Sequence, residues 1–148
     1  LLKTGNWIGP LLAAAAEAGV ERLLLWGYHG KLLKLAGGIF HTHHHLADGR
    51  AEVLTALAAL EGLEQRALER LFAAPTVDAA LRDLASSDPV LEGRLRRRIV
   101  GAIEARSAAY IQRCTGRRLE PGVALFDRSR RLWAVGPRGA SWLPEVAP

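Results

Sequence analysis

The feature that most constrains the fold is the apolar run Leu-Leu-Leu-Trp, which ends a predicted strand at Val20–Trp26. Apolar residues on consecutive positions are typical of a strand buried on both faces, as in a parallel sheet. A strand is also predicted at Leu1–Thr4, and a helix at Leu11–Ala18 that stops at Gly19. Strand, helix and strand form the β-α-β unit of an α/β fold, so we expect the first half to be Rossmann-like, with a partial parallel sheet.

The rest of the chain predicts a helical middle segment followed by a C-terminal β-hairpin. We expect one α/β domain over 1–148, with a ligand-binding β-α-β part at 1–60, a helical part at 61–115, and a hairpin and tail at 116–148. Asp88 or Ser87 is expected to cap the longest helix, with Pro89 in its first turn. The predicted helices are Lys31–Ala36, Leu46–Leu60, Leu63–Phe72, Val77–Leu84 and Val90–Arg113; the strands are Gly122–Phe126 and Arg131–Val135, before an extended tail at Gly136–Pro148.

The charge of the chain favours an acidic partner. The net charge is +5, and the basic residues are 17 Arg and 3 Lys. Between Leu91 and Arg131 there are 11 Arg against 4 acidic residues, which predicts a nucleic acid or a small polyanion as partner, although a solvated helix face is the ordinary alternative. No nucleic-acid motif or interleaved aromatic residues accompany the arginines, so we do not expect nucleic acid.

Two further compositional features bear on the compartment. No apolar run approaches the roughly 18 residues of a membrane span, so no membrane partner is expected. Cys114 is the single cysteine and cannot form an intrachain disulfide, which fits a reducing cytoplasm.

The first candidate site is the segment Gly5-Asn6-x-x-Gly9, between a predicted strand and a predicted helix. Glycines allow the backbone to approach a ligand closely, and a helix N-terminus offers N–H groups to an anion. The pattern is not the full G-x-G-x-x-G fingerprint. A tight turn that lets the helix pack closely is an equal alternative.

The second candidate site is Gly27-Tyr28-His29-Gly30-Lys31, which also joins a predicted strand to a predicted helix. A lysine in the first turn of a helix is unfavourable to the helix dipole, which prefers anions there. Its position beside two glycines therefore indicates an anionic ligand, with a solvated lysine as the alternative.

The third candidate site is the histidine run, which contains four of the five histidines: His41, His43, His44 and His45. Imidazole is the commonest zinc ligand. However, adjacent histidines cannot easily face one ion, and the His41–His45 spacing lacks the HExxH glutamate. We therefore expect no metal and interpret the run as a group that contacts an acidic ligand.

These segments resemble the cobalt-precorrin-5B C1-methyltransferase (CbiD) family of anaerobic cobalamin biosynthesis. The resemblance is dense over residues 1–55 and looser afterwards. Order and spacing are shared across four blocks, which are Gly5-Asn6-x-Ile8-Gly9, Leu24-Leu25-x-Gly27, Gly30-Lys31-Leu32-x-Lys34-Leu35-Ala36-x-Gly38, and Thr42-His43 followed by Ala47-Asp48-Gly49-Arg50.

The resemblance implies a methyl transfer from S-adenosylmethionine to ring carbon C1 of a cobalt corrinoid, giving cobalt-precorrin-6A. The substrate is a polycarboxylate, which agrees with the excess of arginine. The residues expected to act are Gly5, Asn6, Gly9 and Gly27 for the cofactor, Lys31, Lys34 and Arg50 for the substrate, and Thr42 and His43 for catalysis.

The resemblance also implies that the chain is the C-terminal portion of a longer cytoplasmic enzyme. This portion alone would be inactive if catalysis needs the rest of the enzyme. The absence of an initiator Met agrees with that expectation. A homo-oligomer is allowed. The alternative function is a non-enzymatic metal- or anion-binding module built on the His41–His45 run.

Overall fold

The fold is a mixed three-stranded sheet packed against a layer of helices. The computed structural model describes residues 1–146. The elements are α1 (Ile8–Glu17), β1 (Arg22–Tyr28), α2 (His29–Ala36), α3 (Arg50–Leu60), α4 (Gln65–Ala73), α5 (Val77–Ser87), α6 (Pro89–Thr115), β2 (Glu120–Phe126), β3 (Leu132–Val135) and α7 (Pro137–Val146).

The sheet has the order β1-β2-β3, with β1 and β2 parallel and β2 and β3 antiparallel. Arg22 lies opposite Glu120 and Tyr28 opposite Phe126, so the carboxyl ends of the two parallel strands coincide. The central strand β2 is buried along most of its length. The C-terminal hairpin is therefore confirmed, whereas the parallel partner of β1 is β2 and not the strand predicted at Leu1–Thr4.

Helix α6 carries much of the core. Asp88 caps it by accepting the Leu91 N–H at 2.9 Å, Pro89 occupies its first turn, and Gly116 ends it in the left-handed conformation. These boundaries agree with the prediction. Leu95, Ile99 and Ile103 are fully buried, because residues spaced by three or four lie on one helix face.

The predicted strand at Leu1–Thr4 is wrong, because these residues are outside every strand. Residues 1–28 therefore form no Rossmann-like β-α-β unit. The expectation that the Val20–Trp26 strand is buried on both faces is also wrong. β1 lies at the edge of the sheet, where Leu25 is 6% exposed and Trp26 is 54% exposed.

The predicted extended tail is wrong from Pro137 to Val146, which form α7; residues 147 and 148 lie outside the described part of the chain. The cause is a long-range contact. The buried Glu104 carboxylate accepts the N–H groups of Val123, Arg138 and Gly139, each at 3.1 Å. It therefore satisfies N–H groups at the start of α7, which have no partner within the helix.

The helix predicted from Leu46 begins only at Arg50. Gly49 precedes it with a left-handed φ of 58°, and residues 44–46 form a turn. Among residues 1–146, no helix combines the length and the hydropathy needed to cross a membrane.

Candidate functional site

Two segments that are far apart in the sequence lie against each other and are called here the paired loops, residues 4–9 and 40–49. The Thr42 N–H donates to the Asn6 carbonyl at 3.1 Å, and the Thr42 hydroxyl donates to Asn6 Oδ1 at 3.2 Å. The Gly9 N–H donates to the Phe40 carbonyl at 3.0 Å. The structure thus brings the predicted cofactor segment and the predicted catalytic segment together.

Lys34 fixes the second of the paired loops from beneath. Its side chain is 3% exposed, and its ammonium group donates to the carbonyls of Ala47 at 2.7 Å and Thr42 at 3.3 Å. Burial lowers the pKa of Lys34, and the nearby Asp48 carboxylate at 3.8 Å opposes that shift. An ammonium group held in this way positions the loop and has little freedom to reach a ligand.

Lys31 lies over the first of the paired loops. Its ammonium group donates to the Gly5 carbonyl at 2.5 Å, in an exposed position. Gly5 has a φ of 55°, a conformation that favours glycine. The cation predicted from the second candidate segment therefore sits beside the glycine turn of the first.

Arg50 forms an ion pair with Asp48 at the end of the paired loops. Its Nη2 donates to Asp48 Oδ2 at 2.7 Å, and its Nε contacts Oδ1. The hydrogen bond from Arg50 lowers the pKa of Asp48, and the same hydrogen bond raises the pKa of Arg50. The guanidinium is still partly exposed, so it keeps a face for a second anion.

The histidine run forms a cluster of rings rather than a set of converging ligands. The His45 N–H donates to His43 Nδ1 at 3.3 Å, and the ring centroids of His44 and His45 are 4.0 Å apart. Repulsion from His45 lowers the pKa of His44. His41 instead lies edge-on against Trp7. Within the described residues, no group of three His, Cys, Asp or Glu is arranged to hold a metal ion.

The hydrogen bond to His43 also fixes the chemistry of its free nitrogen. Because Nδ1 accepts a hydrogen bond from the His45 N–H, the neutral ring carries its proton on Nε2. His43 therefore offers a donor, as does the Asn6 amide, whose oxygen is already bound to Thr42.

Two of the glycines predicted to line the cofactor have a packing role. A Cβ atom at Gly9 would lie 2.6 Å from the Tyr110 hydroxyl, and one at Gly27 would lie 2.7 Å from Leu32 Cδ1. The Gly9 N–H is bound to Phe40, and Pro10 has none to give. Close packing is thus established for both glycines, and their contact with a ligand stays a prediction.

The structure adds a pair of residues that the sequence analysis did not assign, His29 and Asp78. His29 begins α2 directly after β1 and is 3% exposed, and its Nε2 lies 3.1 Å from Asp78 Oδ1. Burial lowers the pKa of His29, and Asp78 opposes that shift. The position of His29 after a strand was a usable signal, whereas nothing in the sequence indicated a partner 49 residues away.

The family model described as "CbiD, C-terminal domain" matches residues 41–137. Curated relatives named cobalt-precorrin-5B C(1)-methyltransferase match nearly the whole chain. The protein of Prochlorococcus marinus (strain MIT 9303) is 57% identical over 143 residues, which are 97% of this chain and 37% of the relative. That of Synechococcus sp. (strain CC9902) is 55% identical over 137 residues, covering 93% and 38% respectively.

The chain spans somewhat more than a third of the length of these relatives. No solved structure gives a significant match. The names of the relatives agree with the resemblance drawn from the four sequence blocks and do not favour a metal- or anion-binding module.

Proposed function

This chain belongs to the CbiD family by its match to the C-terminal domain, and on that premise we propose that it forms the C-terminal part of an S-adenosylmethionine-dependent methyltransferase. The proposed reaction methylates ring carbon C1 of cobalt-precorrin-5B and gives cobalt-precorrin-6A, in anaerobic cobalamin biosynthesis. The proposed location is the cytoplasm, and the proposed partner is the polycarboxylate corrinoid.

The observation that carries this proposal is the junction of the paired loops through Asn6 and Thr42. Residues of separate sequence blocks are joined there by two hydrogen bonds, and Lys34 holds the same loop from below. A junction of this kind keeps a ligand and a reacting group in fixed relative positions, which is the main requirement of a methyl transfer.

The residues present fit the cofactor at the first of the paired loops. Asn6 keeps its amide N–H groups for an oxygen atom of the ligand, and Gly5 leaves the backbone open because no atom lies within 4 Å of its Cβ position. We assign Gly5, Asn6, Gly9 and Gly27 to this side of the site, with Gly9 and Gly27 acting through close packing.

The second of the paired loops is assigned to the substrate. Lys31 and Arg50 supply cationic groups for carboxylates, and Lys34 positions the loop that carries Thr42 and His43. His43 Nε2–H is placed to donate a hydrogen bond, and the Thr42 hydroxyl holds Asn6.

S-adenosylmethionine supplies an electrophilic methyl group. When it is bound, Gly5 and Asn6 would hold this methyl donor, while Lys31 and Arg50 would hold the carboxylates of the substrate. Alignment of the two reactants contributes on the order of 7–11 kcal/mol in favourable model reactions. The role derived for this chain is therefore to align the reactants.

The proposal is tested with a chimera in which this chain replaces the matching segment of the Prochlorococcus marinus relative. Calorimetry measures the affinity for S-adenosylhomocysteine. We expect Asn6→Leu to weaken binding by about tenfold, which corresponds to about 1.4 kcal/mol. Gln65→Leu is the matched control, because it removes an exposed side-chain amide that donates to Glu69 and lies outside the paired loops. Equal affinities of the two variants would contradict the assignment of Asn6.

A further inference from the structure

A second cleft lies at the carboxyl ends of β1 and β2, outside the paired loops. Tyr28 and Phe126 end the two strands in register, and their ring centroids are 6.5 Å apart. Together with Asp127, Arg128 and Arg130 they line a cleft of about 300 Å³. In open α/β sheets, ligands bind at the carboxyl ends of the strands.

The charge of this cleft is positive because two arginines line it with a single acidic residue, Asp127, which already pairs with Arg131. Asp127 accepts the Arg131 N–H at 3.0 Å and lies 3.5 Å from Arg131 Nε. Arg128 and Arg130 are exposed, and in the described part of the chain neither has a carboxylate within salt-bridge distance. Two guanidinium groups therefore remain for an anion.

Arg130 is held in an unusual conformation. Its φ is 63°, and within residues 1–146 it is the only residue other than glycine that has a positive φ. Its guanidinium lies 5.3 Å from the centre of the Phe126 ring. Glycine or asparagine would adopt this backbone conformation at a lower cost. The presence of arginine therefore indicates that its side chain has a role.

A buried polar atom adjoins the same region. His29 and Asp78 line a neighbouring cleft of about 260 Å³ that shares Asp127 and Arg128 with the first. The His29 ring lies between Tyr28 and Trp133, with centroids 4.6 and 5.0 Å away. His29 Nδ1 is buried and has no hydrogen-bond partner. Buried polar atoms are normally hydrogen-bonded, so His29 Nδ1 offers an unused polar group beside the two clefts.

We propose that this cleft is a carboxylate subsite, in which Arg128 and Arg130 bind acidic side chains of a tetrapyrrole-derived macrocycle while Tyr28 and Phe126 contact its apolar surface. The inference rests on the proposed function, because that function supplies the macrocycle. It adds residues of β2 and the hairpin turn, which none of the four sequence blocks contains. Guanidinium groups suit this task because they bind carboxylates through two parallel hydrogen bonds.

The test uses the 148-residue chain and coproporphyrin, a tetrapyrrole with four propionates, in a fluorescence titration. The double variant Arg128→Ala, Arg130→Gly is expected to bind at least about tenfold more weakly than the parent chain. Arg130→Gly also suits the positive φ, so the turn is preserved.

The matched control is Arg117→Ala, Arg118→Ala, which removes the same charge from exposed residues before the amino end of β2. We expect its affinity to stay within about twofold of the parent chain. The tetramethyl ester of coproporphyrin lacks the carboxylates. We expect the parent chain to bind this ester no more tightly than the variant Arg128→Ala, Arg130→Gly binds coproporphyrin itself.

Equal losses in the two double variants would overturn the subsite, because binding would then follow net charge alone. Undiminished binding of the ester would overturn it as well. The affinity of the chimera for S-adenosylhomocysteine tests the proposed function separately. If that affinity is retained while the two double variants bind coproporphyrin alike, only the carboxylate subsite fails.

Discussion

At the scale of single residues, Lys34 shows how a buried charge can organise a site without contacting a ligand. Its ammonium group satisfies the carbonyls of Thr42 and Ala47, and it leaves Lys31 and Arg50 as the more accessible cations. The sequence indicated that cations and glycines gather here. It could not show which lysine is buried, because that depends on how residues 40–49 fold back over α2.

His29 leads to a prediction about pH. Burial lowers its pKa from the ordinary value of 6.5, so the folded chain keeps the ring neutral at a pH where the unfolded chain already binds a proton. Unfolding therefore takes up a proton as the pH falls below about 6.5, and the free energy of unfolding decreases. We expect His29→Gln to show a smaller decrease between about pH 7.5 and 5.5, measured by urea denaturation.

The control for this prediction is His44→Gln. The pKa of His44 is also lowered, chiefly by repulsion from His45, but the residue is exposed and solvent screens the effect. Its variant should keep the pH dependence of the parent chain. A pH dependence of His29→Gln equal to that of the parent chain would mean that His29 is not buried in its neutral form.

At the scale of elements, the local signals predicted α6 and the hairpin well. Asp88, Pro89 and Gly116 mark the ends of α6 in the sequence itself. In contrast, α7 was missed because its first turn is stabilised by Glu104, more than thirty residues earlier in the chain. The strand expected at Leu1–Thr4 is wrong, because these residues pair with no strand in the described part of the chain and leave β1 as the edge of the sheet.

Glu104 gives the prediction at this scale. Its carboxylate accepts three backbone N–H groups of β2 and α7 in a buried position. Glu104→Gln replaces one acceptor oxygen by an N–H₂ donor that faces those N–H groups. We expect the free energy of unfolding to fall by about 2–3 kcal/mol, measured by urea denaturation. Glu17→Gln, at an exposed position on α1, should change it by less than about 0.5 kcal/mol. Similar values for the two variants would contradict the anchoring role of Glu104.

At the scale of the whole molecule, an electrostatic interaction between Arg50 and Tyr28 connects the paired loops with the carboxyl end of β1. Arg50 follows the paired loops directly, and its charge acts on the Tyr28 hydroxyl at the end of β1. Burial raises the pKa of that hydroxyl most, and Asp78 raises it further. The four sequence blocks predicted the residues of the paired loops, but the pairing of His29 with Asp78 required the folded chain.

The most direct test of the proposed function is a single-turnover measurement of isotope-labelled methyl transfer to C1 of the corrinoid. The proteins compared are the chimera, the intact Prochlorococcus marinus relative, and that relative without the segment matching this chain. We expect transfer by the chimera and the intact relative, and none by the shortened protein. The proposed function would be contradicted by transfer from the shortened protein at the rate of the intact relative, or by a chimera that binds S-adenosylhomocysteine normally and transfers nothing.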